Sequence, residues 1–319
     1  MSRIRQGLHP SVRLGAMFRR ERAPEELVSF AREVDALGLD DLWIVEDCFW
    51  AGGLTAAAAA LAVTDRIAVG MGIVPVVARN AAITAMEMGG LARMFPGRFT
   101  AGIGHGVASW MGQIGAMPPS QLAALEETID AVRRLLDGER LSVAGRHVVL
   151  DDVQLVFTAS LRPPIVVGVT GPKGIDVSAR VADGLLLPEG SSPAFVRAAV
   201  QRFGRPAECP AECVVYVLYA VDDDTAVARS MVAASVDEFA AAGVDDRLSK
   251  LGVDEHVDGH DRINRYAVAG TPADCAAAID ALVGAGATSV VVVPRADDPG
   301  AQDAQIRRLV TDVVPLLSI

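Results

Sequence analysis

Two acidic residues and one histidine stand where short apolar runs end, and they are the side chains best placed by type to move protons. Glu46 and Asp47 follow the run WIV, and His105 lies between glycines in the segment GIGHG. Neighbouring residues of a strand point to opposite sides. We therefore expect one acid to face a site and the other to pair or cap nearby, the alternative being a polar pair that opens a loop. A carboxyl group in a half-buried site can have a raised pKa and act as an acid.

The segment VTGPKGID indicates a second kind of chemistry, the binding of an anion. Thr170 can cap a helix, Pro172 suits its first turn, and Gly171 and Gly174 let a ligand approach the backbone. Free amides at a helix start attract phosphate, and the ammonium group of Lys173 adds to the attraction. We predict a phosphate seat here, with an ordinary helix start and a solvated lysine as the alternative. The spacing is not that of a Walker loop.

The segment FTAGIGHGVASW carries glycines at alternate positions, 102, 104 and 106. The spacing GxGxG differs from the dinucleotide fingerprint GxGxxG, and no acidic strand end follows at the distance that such a fold requires. We expect Gly104 and Gly106 to leave room for a planar ring beside the backbone. His105 then either hydrogen-bonds to that ring or to a substrate, or has only a structural role.

Strand-like and helix-like runs alternate along nearly the whole chain. This alternation predicts the fold that positions the candidate site residues. Eight apolar runs rich in Val, Ile and Leu are predicted as buried parallel strands. They span 12–18, 42–47, 66–75, 98–104, 164–169, 184–190, 213–221 and 288–294. Eight such units favour an α/β fold of the (β/α)8 TIM-barrel type over a doubly wound open sheet, as one domain covering 1–319 with insertions after strands 4 and 7. A barrel brings the strand ends into one mouth. The stretch 222–266 is expected to form a lid or a dimer contact.

Composition and charge limit the kinds of molecule that this protein is expected to bind. The chain has 319 residues, a net charge of −11 and a pI near 4.9, which argues against nucleic acid and anionic membrane surfaces. No apolar run is long enough to span a bilayer, and no signal peptide is visible, so we expect a cytoplasmic protein. Cys209 and Cys213 lack a second pair of ligands, so no metal site is predicted.

Four segments together resemble the bacterial luciferase-like superfamily, and most of all its deazaflavin-dependent branch, which includes methylenetetrahydromethanopterin reductase. They are GLDDLWIVED, RIAVGMGIVPVVARNAAITAMEMGGLARMFPGRFTAGIGHG, VVGVTGPKGIDVSARVADGLLLPEG and AGTPADCAAAIDALVGAGATSVVVVP. The resemblance implies a TIM barrel, usually a homodimer, that holds coenzyme F-420 (F420) or FMN in its mouth.

The resemblance also implies which residues hold the cofactor. A cis peptide bond at Gly72-Ile73 would back the ring, and the glycine-rich segment after the fifth strand would bind the phosphate. The cofactor-binding residues are then Gly72, Ile73, Val74, Gly104, His105, Gly106, Thr170, Gly171, Lys173, Gly174, Glu189 and Gly190.

At three places the residues of this chain differ from those of the dehydrogenases that it resembles, and these differences bear on the reaction. Those enzymes carry Asp-His where this chain has Glu46-Asp47 and a glutamate where it has Val107, and the sugar-phosphate enzymes carry a lysine where it has Ser191. We therefore expect hydride transfer to a small organic acceptor rather than oxidation of an alcohol or sugar phosphate. Glu46 or Asp47 would donate a proton or orient the ring, and His105 would line the site. The alternatives are an FMN-dependent monooxygenase, which needs O2 and a flavin reductase partner, and a degenerate barrel without catalysis.

Overall fold

The computed structural model describes residues 12–205, 211–241, 243, 249–253, 260–296 and 298–318. The strands are β1 Arg13–Phe18, β2 Asp41–Ile44, β3 Ala68–Met71, β4 Val74–Pro75, β5 Phe99–Gly104, β6 Leu141–Ala144, β7 Val149–Val153, β8 Ile165–Gly168, β9 Gly184–Leu187, β10 Glu212–Val221, β11 Ala267–Gly270 and β12 Ser289–Pro294. The α-helices are α1 Leu27–Leu37, α2 Gly53–Ala62, α3 Ala81–Met94, α4 Ala108–Gln113, α5 Gln121–Leu136, α6 Pro172–Val181, α7 Pro193–Phe203, α8 Thr225–Ala241, α9 His260–Tyr266, α10 Pro272–Gly284 and α11 Pro299–Arg308.

Eight of these strands form a closed parallel barrel. The hydrogen-bonded order is β12, β1, β2, β3, β5, β8, β9 and β10, and β10 pairs with β12 to close the ring. These are the eight runs predicted from the sequence, so the (β/α)8 expectation is confirmed. The ninth parallel strand, β11, extends the sheet from the end of β10. It was missed because it is only four residues long and lies within a helical stretch.

Alternation along the strands separates two layers of core. In β8, for example, Val166 packs inside the barrel while Ile165 and Val167 pack outward against the helices. The inner layer is built around Trp43, which is fully buried. A Cβ atom at position 70 would lie 2.5 Å from the Trp43 indole, so only glycine leaves room for this ring.

An ion-pair network lies around the N-terminal end of the barrel. Arg13 donates to Asp41 at 3.0 Å and to Glu212 at 2.7 Å, and the Ser289 hydroxyl donates to Asp41 at 2.8 Å. Residues at this end of a TIM barrel contribute to stability, whereas chemistry takes place at the opposite end.

The third predicted strand is interrupted. It begins at Ala68, stops at Met71, and resumes as the two-residue strand β4 after a cis peptide bond between Gly72 and Ile73. This is the position that the family resemblance implies. The break places Ile73 at the barrel mouth.

Candidate active site

A large cavity occupies the C-terminal ends of the barrel strands. Its volume is about 1380 Å³, which is ample for a cofactor and a substrate together. The predicted site residues that line it are Glu46, Asp47, Gly72, Ile73, His105, Gly106, Thr170, Gly171, Lys173, Gly174 and Glu189. The barrel therefore brings together most of the residues that the sequence singled out.

Three predicted residues lie behind the cavity wall. Val74 is buried and pairs with β5, Gly104 is buried in that strand, and Gly190 is buried in a left-handed turn with φ of 87°. None of the three is among the cavity-lining residues of the described chain. In the structure all three support the wall from behind.

The glycines of strand β5 make room for strand β3 and the residues after it. A Cβ atom at Gly102 would lie 1.7 Å from the Met71 carbonyl oxygen, and one at Gly104 would lie 3.0 Å from the Ile73 side chain. The expectation that Gly104 leaves space for a planar ring is therefore wrong. Only Gly106, with φ of 73°, reaches the cavity.

Ile73 forms the raised part of the cavity wall. Its side chain packs over Gly104 and Gly168, where added Cβ atoms would lie 3.0 Å from it. The hydroxyl of Tyr216 rises from the barrel interior beneath Gly72 and has no hydrogen-bond partner within the described residues. The mouth therefore has an apolar surface, and the Tyr216 hydroxyl group below it makes no hydrogen bond within the described residues.

Glu46 is held by several donors at once. Arg79 binds it through both terminal nitrogens, with Nη2 at 2.8 Å from Oε2, and the amide of Gly53 donates to the same oxygen at 3.0 Å. Its side chain is 10% exposed. Glu46 is thus held in an ion pair with Arg79 beside the start of α2.

Asp47 pairs with a residue that follows the neighbouring strand β1. Arg20 donates to it at 2.7 Å, and the same guanidinium lies 4.6 Å from the centre of the Trp50 ring. Trp50 meets Trp110 edge-on at 6.3 Å. Trp50 is 52% exposed. These residues form an aromatic rim at the cavity entrance, which the sequence analysis did not identify.

His105 is one of the residues that line the cavity. Its Nδ1 is buried and finds no partner among the described residues. Burial lowers its pKa, so the imidazole is neutral at pH 7. A neutral histidine can both donate and accept a hydrogen bond, which suits a wall residue that contacts a ligand.

The start of α6 forms an open, positively charged recess. Gly171 is the N-cap residue and no side chain caps the helix, so the amides of Lys173 and Gly174 remain free of side-chain acceptors. A Cβ atom at Gly171 would meet nothing within 4 Å. The exposed ammonium group of Lys173 borders the same space. The recess is suited to a phosphate group.

Glu189 and Arg295 lie deep in the mouth, at the ends of β9 and β12. Burial raises the pKa of the Glu189 carboxyl, against the opposing effects of its own backbone amide and of Arg295. The Arg295 Nε is buried without a partner in the described chain. Glu189 was expected to hold the cofactor, and no role was predicted for Arg295.

Part of the stretch 222–266 borders the cavity. Ser235, Glu238 and Phe239 of α8 line it, as does Lys250. Lys173 and Lys250 are the only lysines of the sequence, and both line this one cavity. That rarity was the one available indication of Lys250. Residues 242, 244–248 and 254–259 of the stretch lie outside the described residues, as does Cys209.

Two kinds of feature are absent from the described residues, a metal-binding cluster and a membrane span. They contain no cluster of three or more His, Cys, Asp or Glu side chains that could hold a metal ion. No helix among them has the length and apolar character needed to cross a membrane.

Known proteins resemble this chain over most of its length. A family model described as "Luciferase-like monooxygenase" matches residues 4–289. The chain is 26% identical over 294 residues to 5,10-methylenetetrahydromethanopterin reductase of Methanolobus tindarius, covering 83% of this chain and 89% of that protein. It is 27% identical to an F420-dependent glucose-6-phosphate dehydrogenase of Kineococcus radiotolerans, covering 92% of this chain and 94% of that protein.

A solved structure shares the fold over nearly the full length. It is the coenzyme F420-dependent tetrahydromethanopterin reductase from Methanopyrus kandleri, with a TM-score of 0.76 at 20% identity, covering 95% of this chain and 99% of that one. The similarity extends across the barrel and the segments that border its mouth.

Proposed function

This chain belongs to the luciferase-like monooxygenase family, and on that premise we propose that it is an F420-dependent oxidoreductase. In the proposed reaction a hydride passes from the reduced deazaflavin to a small organic acceptor. The observation that carries the proposal is the uncapped start of α6 beside the 1380 Å³ cavity. Curated relatives named for F420 support the choice of cofactor.

The described residues fit an anionic cofactor with a planar ring. Thr170, Gly171, Lys173 and Gly174 would hold a phosphate group at the start of α6, where free amides and the helix dipole favour negative charge. From there the cavity continues to the raised wall at Ile73. A ring resting on that wall would lie between the phosphate recess and the deeper part of the mouth.

The protein would position the cofactor and the substrate and supply the electrostatic environment of the reaction. The cofactor supplies the hydride when bound. Ile73 would fix the height of the ring, and the unsatisfied Nδ1 of His105 would hydrogen-bond to the ring or the substrate. The buried wall excludes water from one side of the site, which favours hydride transfer to the acceptor.

The reductive direction is favoured by what surrounds the acidic pair. The removal of a hydroxyl proton needs a free base near the reacting carbon. Glu46 is bound by Arg79 and Gly53, and Asp47 by Arg20. Val107 adds an exposed apolar side chain to the cavity. This set suits an electron-poor acceptor better than an alcohol.

The test offers the protein both directions of the reaction. Reduced F420 is mixed without oxygen with a panel of activated C=C and C=N acceptors, and oxidised F420 with secondary alcohols and sugar phosphates; the absorbance of oxidised F420 reports turnover. We expect turnover with at least one acceptor and none with the alcohols. Turnover only with alcohols would refute the reductive direction. Oxygen-dependent turnover with reduced FMN alone would favour the monooxygenase. An inert protein that still binds F420 would favour a degenerate barrel.

We also propose that the protein is a homodimer located in the cytoplasm. Ile83, Met86 and Met94 of α3 are each about half exposed, at 46%, 55% and 63%, and an apolar helix face of this kind is typical of subunit interfaces. Light scattering should give twice the mass of 33.3 kDa, and Met86→Glu should shift it toward the monomer. A monomeric wild-type protein would refute the dimer.

A further inference from the structure

The surroundings of the Glu189 carboxyl group favour its protonated form. Glu189 follows β9 and points into the cavity. Apart from its own backbone amide, no group of the described residues donates a hydrogen bond to it. The other acids at the mouth differ, because Glu46 and Asp47 each accept from an arginine. An unpaired carboxyl group in such a place favours its neutral form.

Charged groups face Glu189 from several elements, and they oppose one another. Arg295 after β12 and Arg20 after β1 favour the ionised form, and Asp47 after β2 disfavours it. The Tyr216 hydroxyl, on β10, is neutral because burial raises its pKa well above 10. The remaining charged or titratable residues around the cavity are Arg19, Glu21, Glu46, His105, Lys173, Glu238 and Lys250. Desolvation outweighs the nearby cations, so the carboxyl group retains its proton more strongly than usual.

We propose that Glu189 is the proton donor of the reductive reaction, an assignment that rests on the proposed function. As the hydride reaches one atom of the acceptor's C=C or C=N bond, Glu189 gives its proton to the other atom. The π bond breaks and two bonds to hydrogen form. The acceptor gains the two electrons that the reduced deazaflavin loses. The reduced deazaflavin would lose one proton to solvent besides the hydride, and that proton balances the one that the glutamate carboxylate takes back from solvent.

The first measurement is the ionisation of Glu189 in the protein loaded with oxidised F420. Glutamate is labelled with ¹³C at the side-chain carboxyl carbon, and the resonance lost in Glu189→Gln is followed with pH. We expect it to remain protonated at about pH 6, where an unperturbed glutamate with a pKa of about 4.3 is ionised. Glu238→Gln is the matched control, because Glu238 is an exposed acid that lines the same cavity from α8. The resonance should persist in that variant.

The second measurement separates chemistry from structure. Glu189→Gln keeps the shape of the side chain, so the variant should still fold and still bind F420, which its melting curve and an F420 titration would show. Single-turnover reduction of the most active acceptor in the panel should slow by about 100-fold or more.

Each outcome bears on one of the two proposals. Unchanged turnover in Glu189→Gln, or an ionised Glu189 at pH 6 in protein that binds F420, would overturn the proton-donor assignment alone. Wild-type protein that binds no F420 would overturn the proposed function, and the assignment with it.

Discussion

Replacing Gly171 by aspartate should stabilise the protein and at the same time abolish binding of the cofactor phosphate. Gly171 is the N-cap residue of α6, with φ of −82° and ψ of 150°, a conformation that aspartate adopts without strain. A Cβ atom there meets nothing within 4 Å. The new carboxylate would accept hydrogen bonds from the amides of Lys173 and Gly174 and occupy the place of the phosphate.

The two effects can be given magnitudes. A capping carboxylate at a helix start contributes about 0.5–1 kcal/mol to the free energy of unfolding. Each hydrogen bond between an amide and a charged group contributes about 1.5–3 kcal/mol. Loss of one or two such bonds, with repulsion between two anions, should weaken F420 binding by at least about 100-fold, since 1.4 kcal/mol is tenfold.

The assays are urea unfolding and titration of F420 by its fluorescence, with two control variants. Gly171→Asn caps the helix without charge, so it should stabilise similarly and weaken binding less. Gly171→Ala adds only a methyl group in open space and should change binding little. An aspartate variant that binds F420 as tightly as the wild type would refute the phosphate seat. One that loses stability would refute the proposed capping geometry.

Three further predictions concern stability. Asp41→Asn should lower the free energy of unfolding by about 1–3 kcal/mol without changing F420 affinity, because Arg13 loses one of its two carboxylate partners and keeps Glu212. Gly72→Ala should destabilise by about 1–3 kcal/mol, because its Cβ would lie 1.8 Å from the Tyr216 hydroxyl, and adding Tyr216→Phe should restore part of that loss in urea unfolding. Arg162 donates to Asp183 at 2.7 Å, and although burial opposes ionisation, this contact keeps the pKa of Asp183 below its usual value; the stability contribution is therefore present above about pH 4 and lost as pH falls through the lowered pKa. Arg162→Gln should accordingly destabilise near pH 7 and less at pH 3, and an equal loss at both would contradict this.

The barrel was predictable because its strands are buried on both faces. Runs such as IVVG in β8 and VVVVP in β12 carry no polar alternation, and that pattern is specific for a parallel sheet covered by helices. β11 lacked this property because it is the short run AVAG following a helix. The length of a strand and the segments on either side of it, rather than its composition, determined whether it could be predicted from the sequence.

The site could be predicted where the backbone forms it, but not where side chains from neighbouring strand–helix units meet. The start of α6 is encoded locally by TGPKG, and it lies where we expected it. The pairs Glu46–Arg79 and Asp47–Arg20 join residues 33 and 27 positions apart. No local pattern marks such a pair. The glycine spacing in GIGHG was misinterpreted for Gly104, because the atoms that require the missing side chain belong to Ile73.

The most direct test of the account is a competition titration of the purified protein with F420 and FMN. The account predicts that F420 binds, that the Lys173→Ala variant binds it more weakly, and that FMN in excess does not displace it. Tight binding of FMN, with no binding of F420, would contradict the central claim.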